Sequence, residues 1–141
     1  RKSKTMSTLA VGTIKSVSTA PPVFQNTSGT EKGQLVKKWV NFNGQGTVSI
    51  RDDFGVTSIT DDTTGTYTVN FDGNMSNEDY AATVTCGGGG YNGFVFSFGS
   101  GDSDTSFMST SSVQFNCRGG DGGGGAVRDP LTACVIISGV N

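Results

Sequence analysis

From Trp39 to Thr85 the chain alternates apolar and polar residues almost without a break, reading WVNFNGQGTVSIRDDFGVTSITDDTTGTYTVNFDGNMSNEDYAATVT. Within it, Tyr67, Val69 and Phe71 fall on one side of an extended backbone, with Thr66, Thr68 and Asn70 on the other. Only a strand, whose side chains alternate with a period of two, sorts residues in this way. The pattern therefore predicts an all-β chain. Short strands at this spacing indicate an antiparallel β-sandwich.

About eight strands are expected from Leu35 onward. The first covers Leu35 to Phe42 and the second Thr47 to Arg51, joined through Asn43-Gly44-Gln45-Gly46, where Asn-Gly supplies the positive φ angles of tight hairpins. A third lies near Gly55 to Thr60 and a fourth runs from Gly65 to Phe71, closed by the turn residues Asp72-Gly73-Asn74. Tyr80 to Cys86 reads as the fifth, with Tyr80, Ala82, Val84 and Cys86 facing one way. Phe94, Phe96 and Phe98 mark the sixth, and Val113, Phe115 and Cys117 the seventh. The last, Leu131 to Val140, is apolar on both faces, as expected of a central strand or one at a subunit interface. No amphipathic helix is expected.

Residues 1–34 differ in character. They are rich in Ser, Thr, Gly and Lys, with scattered Leu9, Val11, Ile14 and Val17 ahead of Ala20-Pro21-Pro22-Val23-Phe24. Two adjacent prolines forbid helix and favour an extended backbone. Fully extended, such a segment reaches about 110 Å. It reads as an arm or stem, residues 1–34, that docks on partners, followed by a β-sandwich head, residues 35–141. The opening Arg1 is compatible with a piece of a longer product, and Met6 offers an alternative start.

Composition narrows the function. Only 33% of residues are hydrophobic and 22 are glycine, so the core is lean and sister copies are expected to complete it. Net charge is −2, and no basic stripe with interleaved aromatics runs through the chain, which argues against a nucleic-acid binder. Arg1, Lys2 and Lys4 read as a solvated end, and Lys37-Lys38 is a smaller pair. No apolar run approaches the roughly 18–20 residues that cross a bilayer, so membrane insertion is not expected. The segment after the basic start, MSTLAVGTIKSVSTA, is too polar for a signal peptide.

Chemistry is poorly supplied. The chain has no histidine, which excludes Ser-His-Asp and Cys-His arrangements within it. Asp52-Asp53 and Asp61-Asp62 are neighbours on strands and point to opposite faces, unlike the facing carboxyls of a glycosidase. Asp102 and Asp104 resemble half of a calcium loop, but its glycine and distal glutamate are missing, so a surface turn is expected. Cys86, Cys117 and Cys134 are odd in number and lack regular close spacing, so no disulfide framework or zinc site is expected. Each reads as a small buried hydrophobe, which suits assembly in a reducing cytoplasm. No catalytic residue, cofactor or metal is assigned. The glycine runs at residues 87–93 and 118–125 lack the Lys-Ser or Lys-Thr ending of a phosphate loop. They read instead as exposed loops offering Tyr91, Asn92, Arg118 and Asp121 to a ligand such as a surface glycan.

The motifs WVNFNG, SIRDDF and YTVNF, and more weakly the stretch PPVFQNTSGTEKGQL at residues 21–35, resemble a module of fibre-like proteins of bacteriophage virions, especially of short-tailed marine phages. The resemblance is tightest from Trp39 to Val84, somewhat less than half the chain. It implies a non-enzymatic virion structural protein of tail-fibre type, a homotrimer acting in attachment to a host surface glycan or protein. In a second form of the same expectation, the chain is a capsid- or tail-bound decoration protein anchored to other virion proteins through residues 1–34. Gly55 stands where such modules often carry asparagine, and Asp52-Asp53 makes the second hairpin more acidic.

Overall fold

The computed structural model describes residues 10–17, 24–25, 27–29, 31–33, 36–88, 94–98, 107–119 and 125–139. The chain forms two compact units, Arg1–Gly33 and Gln34–Asn141. In the first, β1 (Phe24–Gln25) pairs antiparallel with β2 (Glu31–Gly33), and Gly29 in the turn takes a φ of 78°. Val11, Ile14, Val17 and Phe24 are exposed within this unit. The expected basic end and the Pro21-Pro22 dipeptide lie outside the described residues.

The second unit is an antiparallel β-sandwich. Its strands are β3 (Val36–Asn43), β4 (Ser49–Phe54), β5 (Val56–Thr63), β6 (Thr66–Phe71), β7 (Ala81–Gly87), β8 (Phe94–Phe98), β9 (Ser112–Gly119) and β10 (Thr132–Ser138). One sheet has the order β4-β3-β10-β7 and the other β5-β6-β9-β8. All eight expected strands are present, with ends moved by a few residues. The chain passes between the sheets at Gly55, whose φ of 73° places it in the left-handed region. Asparagine is the side-chain residue that best tolerates that region.

The alternation in sequence becomes two facing apolar layers. Val40 and Phe42 of β3, Val84 of β7 and Ala133, Val135 and Ile137 of β10 face Tyr67 and Val69 of β6 and Val113, Phe115 and Cys117 of β9. Three rings form the centre. Phe42 meets Tyr67 edge-on at 5.2 Å and Phe115 at 6.3 Å, with Tyr67 and Phe115 6.0 Å apart. Each buried side chain of this size contributes about 1.5–3 kcal/mol. Lys38 is also buried, and its Nζ reaches Asp72 Oδ1 at 3.0 Å while lying over the Phe71 ring.

One expectation needs correction. Cys86 and Cys117 are joined by a disulfide, and only Cys134 is free. Spacing concealed the pair, because Cys86 lies on β7 and Cys117 on β9 and the packing of opposite sheets brings them together. The last strand is central, between β3 and β7, which is one of the two readings expected of it, and one of its faces is only partly covered. Ala133, Val135 and Ile137 are buried, whereas Ile136 is 46% exposed and Leu131, just before the strand, is 46% exposed.

Candidate interaction surface

The two outer sheet faces differ in chemistry. On the outer side of β5, β6 and β9 polar side chains bond one another. Asn70 Nδ2 donates to Ser58 Oγ at 3.1 Å and to Thr60 Oγ1 at 3.0 Å. Asp62 Oδ2 accepts Thr68 Oγ1 at 2.7 Å and Gln114 Nε2 at 3.2 Å. A face of this kind is content in water.

The outer face of the β4-β3-β10-β7 sheet is divided. Residues directly opposite each other in an antiparallel pair share a face. Phe54 lies opposite Trp39, Trp39 opposite Ile136, and Ile136 opposite Thr83, so one row crosses all four strands. The next row holds Val36, Ser138 and Ala81. On the other side of the Trp39 row come Asp52, Asn41, Cys134 and Thr85. The Trp39 end of the face is thus less polar than the Asn41 end, although Lys37, at the register shift two residues before Trp39, brings a buried cation beside it.

Arg51 governs the Asn41 end. The register between β3 and β4 shifts at Asn41/Phe42, and this irregularity leaves Arg51 without a direct partner across the pair. Its guanidinium then spans β3. Nη1 donates to Asn41 Oδ1 at 3.1 Å, Phe42 O at 3.0 Å and Thr132 Oγ1 at 3.2 Å, and Nη2 donates to Leu131 O at 2.6 Å. Its donors are committed to the sheet's own backbone and side chains. The role is structural.

Asp52 Oδ1 accepts the Asp53 amide at 3.0 Å, and Asp53 Oδ2 accepts the Val56 amide at 3.3 Å where the chain changes sheets. Among the described residues, no group of three or more His, Cys, Asp or Glu side chains could hold a metal ion. Among the described residues, no helix is long and apolar enough to cross a membrane.

Of the four residues expected to meet a ligand, Tyr91, Asn92 and Asp121 lie outside the described residues, as do Asp102 and Asp104. Arg118 is described: it is exposed on β9, opposite Val95 of β8, one residue before the strand ends at Gly119.

Two phenols are buried and serve the frame. Tyr67 Oη lies within hydrogen-bond reach of Gly44 O at 2.9 Å and Asp129 Oδ1 at 2.8 Å. Burial raises its pKa well above the usual tyrosine value, and the hydrogen bond to Asp129 raises it further. Tyr80 donates toward Ser109 O and Ser112 O, and burial pushes its pKa up to about 12. Neither is poised for proton transfer near neutral pH.

Comparison with family models, with curated proteins and with solved structures returned no match. The site is therefore read from its own chemistry. The sequence had pointed to the glycine loops and passed over the Trp39 face. One signal for that face was available, namely the doubly apolar last strand, whose outward Ile136 stands at the middle of the row.

Proposed function

We propose that this chain is a non-enzymatic structural module of a phage virion appendage of tail-fibre type, working as a homotrimer in attachment to the bacterial surface. The observation that carries the reading is where the resembling motifs fall. WVNFNG lies in and just after β3, SIRDDF is β4 and YTVNF lies in β6, so they build the frame of the sandwich rather than a catalytic constellation. Such a frame suits a rigid head that presents loops. Three copies on one head raise avidity by factors of about 10² to 10⁴ without stronger individual bonds, so weak contacts to a surface glycan or protein suffice. Tyr91, Asn92 and Asp121 in the glycine runs, with Arg118 near the end of β9, are the proposed contacts. The virion, assembled in the host cytoplasm, is the proposed location.

The test is competition. Purified protein added to host cells before the phage that carries it should reduce adsorption, and Arg118→Ala should weaken that effect. Undiminished adsorption at saturating protein would overturn the attachment reading. A second reading, a decoration protein held to the particle by residues 1–34, is favoured by the uncovered Val11, Ile14 and Val17 of the first unit. Deletion of residues 1–34 should then abolish incorporation into particles while the sandwich stays folded.

A further inference from the structure

We propose that Cys86 is the redox-reactive residue of this chain, the point at which a small disulfide of the glutathione class closes the bridge to Cys117 in a sandwich that is already folded.

The two cysteines are brought together by sheet packing, not by strand pairing. Cys86 lies on β7 and Cys117 on β9, which belong to opposite sheets, so their side chains meet only once the sheets have closed. Cys117 sits within the core and Cys86 packs against it. A free thiol fills such a place as a small hydrophobe. The magnitudes agree with a fold that precedes the bridge. Closing the loop contributes about 3–4 kcal/mol in the chain-entropy account, whereas native domains are stable by about 5–15 kcal/mol. The reduced chain therefore keeps its fold, and oxidation follows folding.

The two sulfurs differ in access. Cys117 is fully buried on a strand flanked by β6 and β8. Its backbone is held as well, since its amide donates to Gly65 O at 2.7 Å and its carbonyl accepts the Arg128 amide at 3.0 Å. Bringing its sulfur to the surface would break that corner. Cys86 is half-buried on an edge strand, one residue before β7 ends at Gly87. Among the described residues, a Cβ added at Gly87 would meet nothing within 4 Å. Strand ends open locally at a lower free energy than the core does. Free Cys134 does not compete for the bridge. It stands opposite Thr85, the neighbour of Cys86, and neighbours on a strand point to opposite faces.

Closure takes two exchange steps. The Cys86 thiolate attacks one sulfur of glutathione disulfide, forming a mixed disulfide and releasing one glutathione thiolate. The Cys117 thiolate then attacks Cys86 Sγ and displaces the second glutathione. The two protons lost by the cysteines pass to the two departing glutathiones, and the two electrons given up by the protein reduce the small disulfide. Opening retraces the path: an outside thiolate attacks Cys86 Sγ and Cys117 leaves.

Two variants of the full chain read the thiols one at a time, each also carrying Cys134→Ser. With Cys117→Ala, the remaining Cys86 should take up one glutathione from glutathione disulfide, followed by mass spectrometry. The rate should be at least about tenfold higher than for Cys86→Ala, in which Cys117 remains. In urea the two rates should converge. The reduced Cys134→Ser chain should still unfold cooperatively, and glutathione disulfide should close its bridge through a mixed disulfide at Cys86. Equal rates without urea, or faster uptake at Cys117, would overturn Cys86 as the entry point. A reduced chain with no cooperative transition would overturn the order of folding and oxidation. Should a single-thiol variant fail to fold, iodoacetamide labelling of the reduced Cys134→Ser chain with peptide mapping makes the same comparison. Cys86 labelled first is the expected result, and Cys117 labelled first or at the same rate is the contrary one.

Discussion

Tyr67 Oη lies 2.8 Å from Asp129 Oδ1, and the same carboxylate oxygen accepts the Gly65 amide at 2.6 Å. One acidic side chain, just ahead of β10, thereby pins the start of β6 in the opposite sheet. The corner is reinforced by the Gly44 amide donating to Pro130 O at 3.0 Å and the Arg128 amide donating to Cys117 O at 3.0 Å. The apolar layers decide that the sheets meet, and this corner helps decide how they are aligned.

Removing the phenol hydroxyl should therefore loosen the corner without disturbing the ring packing. Tyr67→Phe removes the single O–H donor shared between Asp129 Oδ1 and Gly44 O, at a cost of about 1–3 kcal/mol. Urea unfolding should show a lower midpoint with an unchanged slope. An unchanged midpoint would mean that the hydroxyl contributes nothing to alignment.

Glycine at the same corner should resist replacement. Gly65 has a φ of 71°, and a Cβ there would stand 2.6 Å from the Arg128 amide nitrogen and 2.8 Å from Cys117 O, both backbone atoms. Left-handed strain and overpacking add, so Gly65→Ala should cost about 2–5 kcal/mol. Gly46 has a φ of 64° but open space around it, so Gly46→Ala should cost only the strain, about 1–2 kcal/mol. Thermal unfolding of the two variants side by side tests the difference, and equal shifts would count against the close approach at Gly65.

The disulfide between Cys86 and Cys117 spans a separation of 31 residues. Closing a loop of that length is worth about 3–4 kcal/mol in the chain-entropy account. The paired Cys86→Ala/Cys117→Ala variant should lose that much stability, and reductant should destabilise the wild type toward the same value. Cys134→Ser should leave the response to reductant intact. Peptide mapping that finds all three thiols free in the native protein would remove the bridge from the account.

Alkaline pH should weaken the fold through Tyr80. Its folded pKa is about 12 against an unfolded value of 10.0, so between those values the unfolded chain has lost a proton that the folded chain keeps. Stability is fully present below about pH 10 and falls as pH rises toward 12, by about 2–3 kcal/mol in all. Tyr80→Phe should lower the slope in that range without abolishing it, because the buried Tyr67 phenol is raised further and contributes the rest, as measured by urea unfolding at intervals across the range. A slope undiminished in the variant would remove Tyr80 from the account.

Much of the fold was legible because strand periodicity is local. Tyr67, Val69 and Phe71 declared their buried side within six residues, and all eight strands of the sandwich followed from the same rule. Turn chemistry was equally local: Asn43 caps its own hairpin, with Nδ2 donating to Gln45 O at 2.7 Å. The interaction surface was less legible. The outward Trp39 and Phe54 lie fifteen positions apart in sequence, and nothing near either one shows that the other is its neighbour.

What the sequence by itself determined is the all-β character, the strand set and which side of most strands turns inward, since each depends on residues two apart along one backbone. Only the tertiary structure decided the strand order, the Cys86–Cys117 bridge, the Tyr67–Asp129 corner and the contrast between the two ends of the Trp39 face. Those depend on which strands become neighbours and in what register. Register is set by the packing of two whole sheets, and no short stretch of chain carries that information.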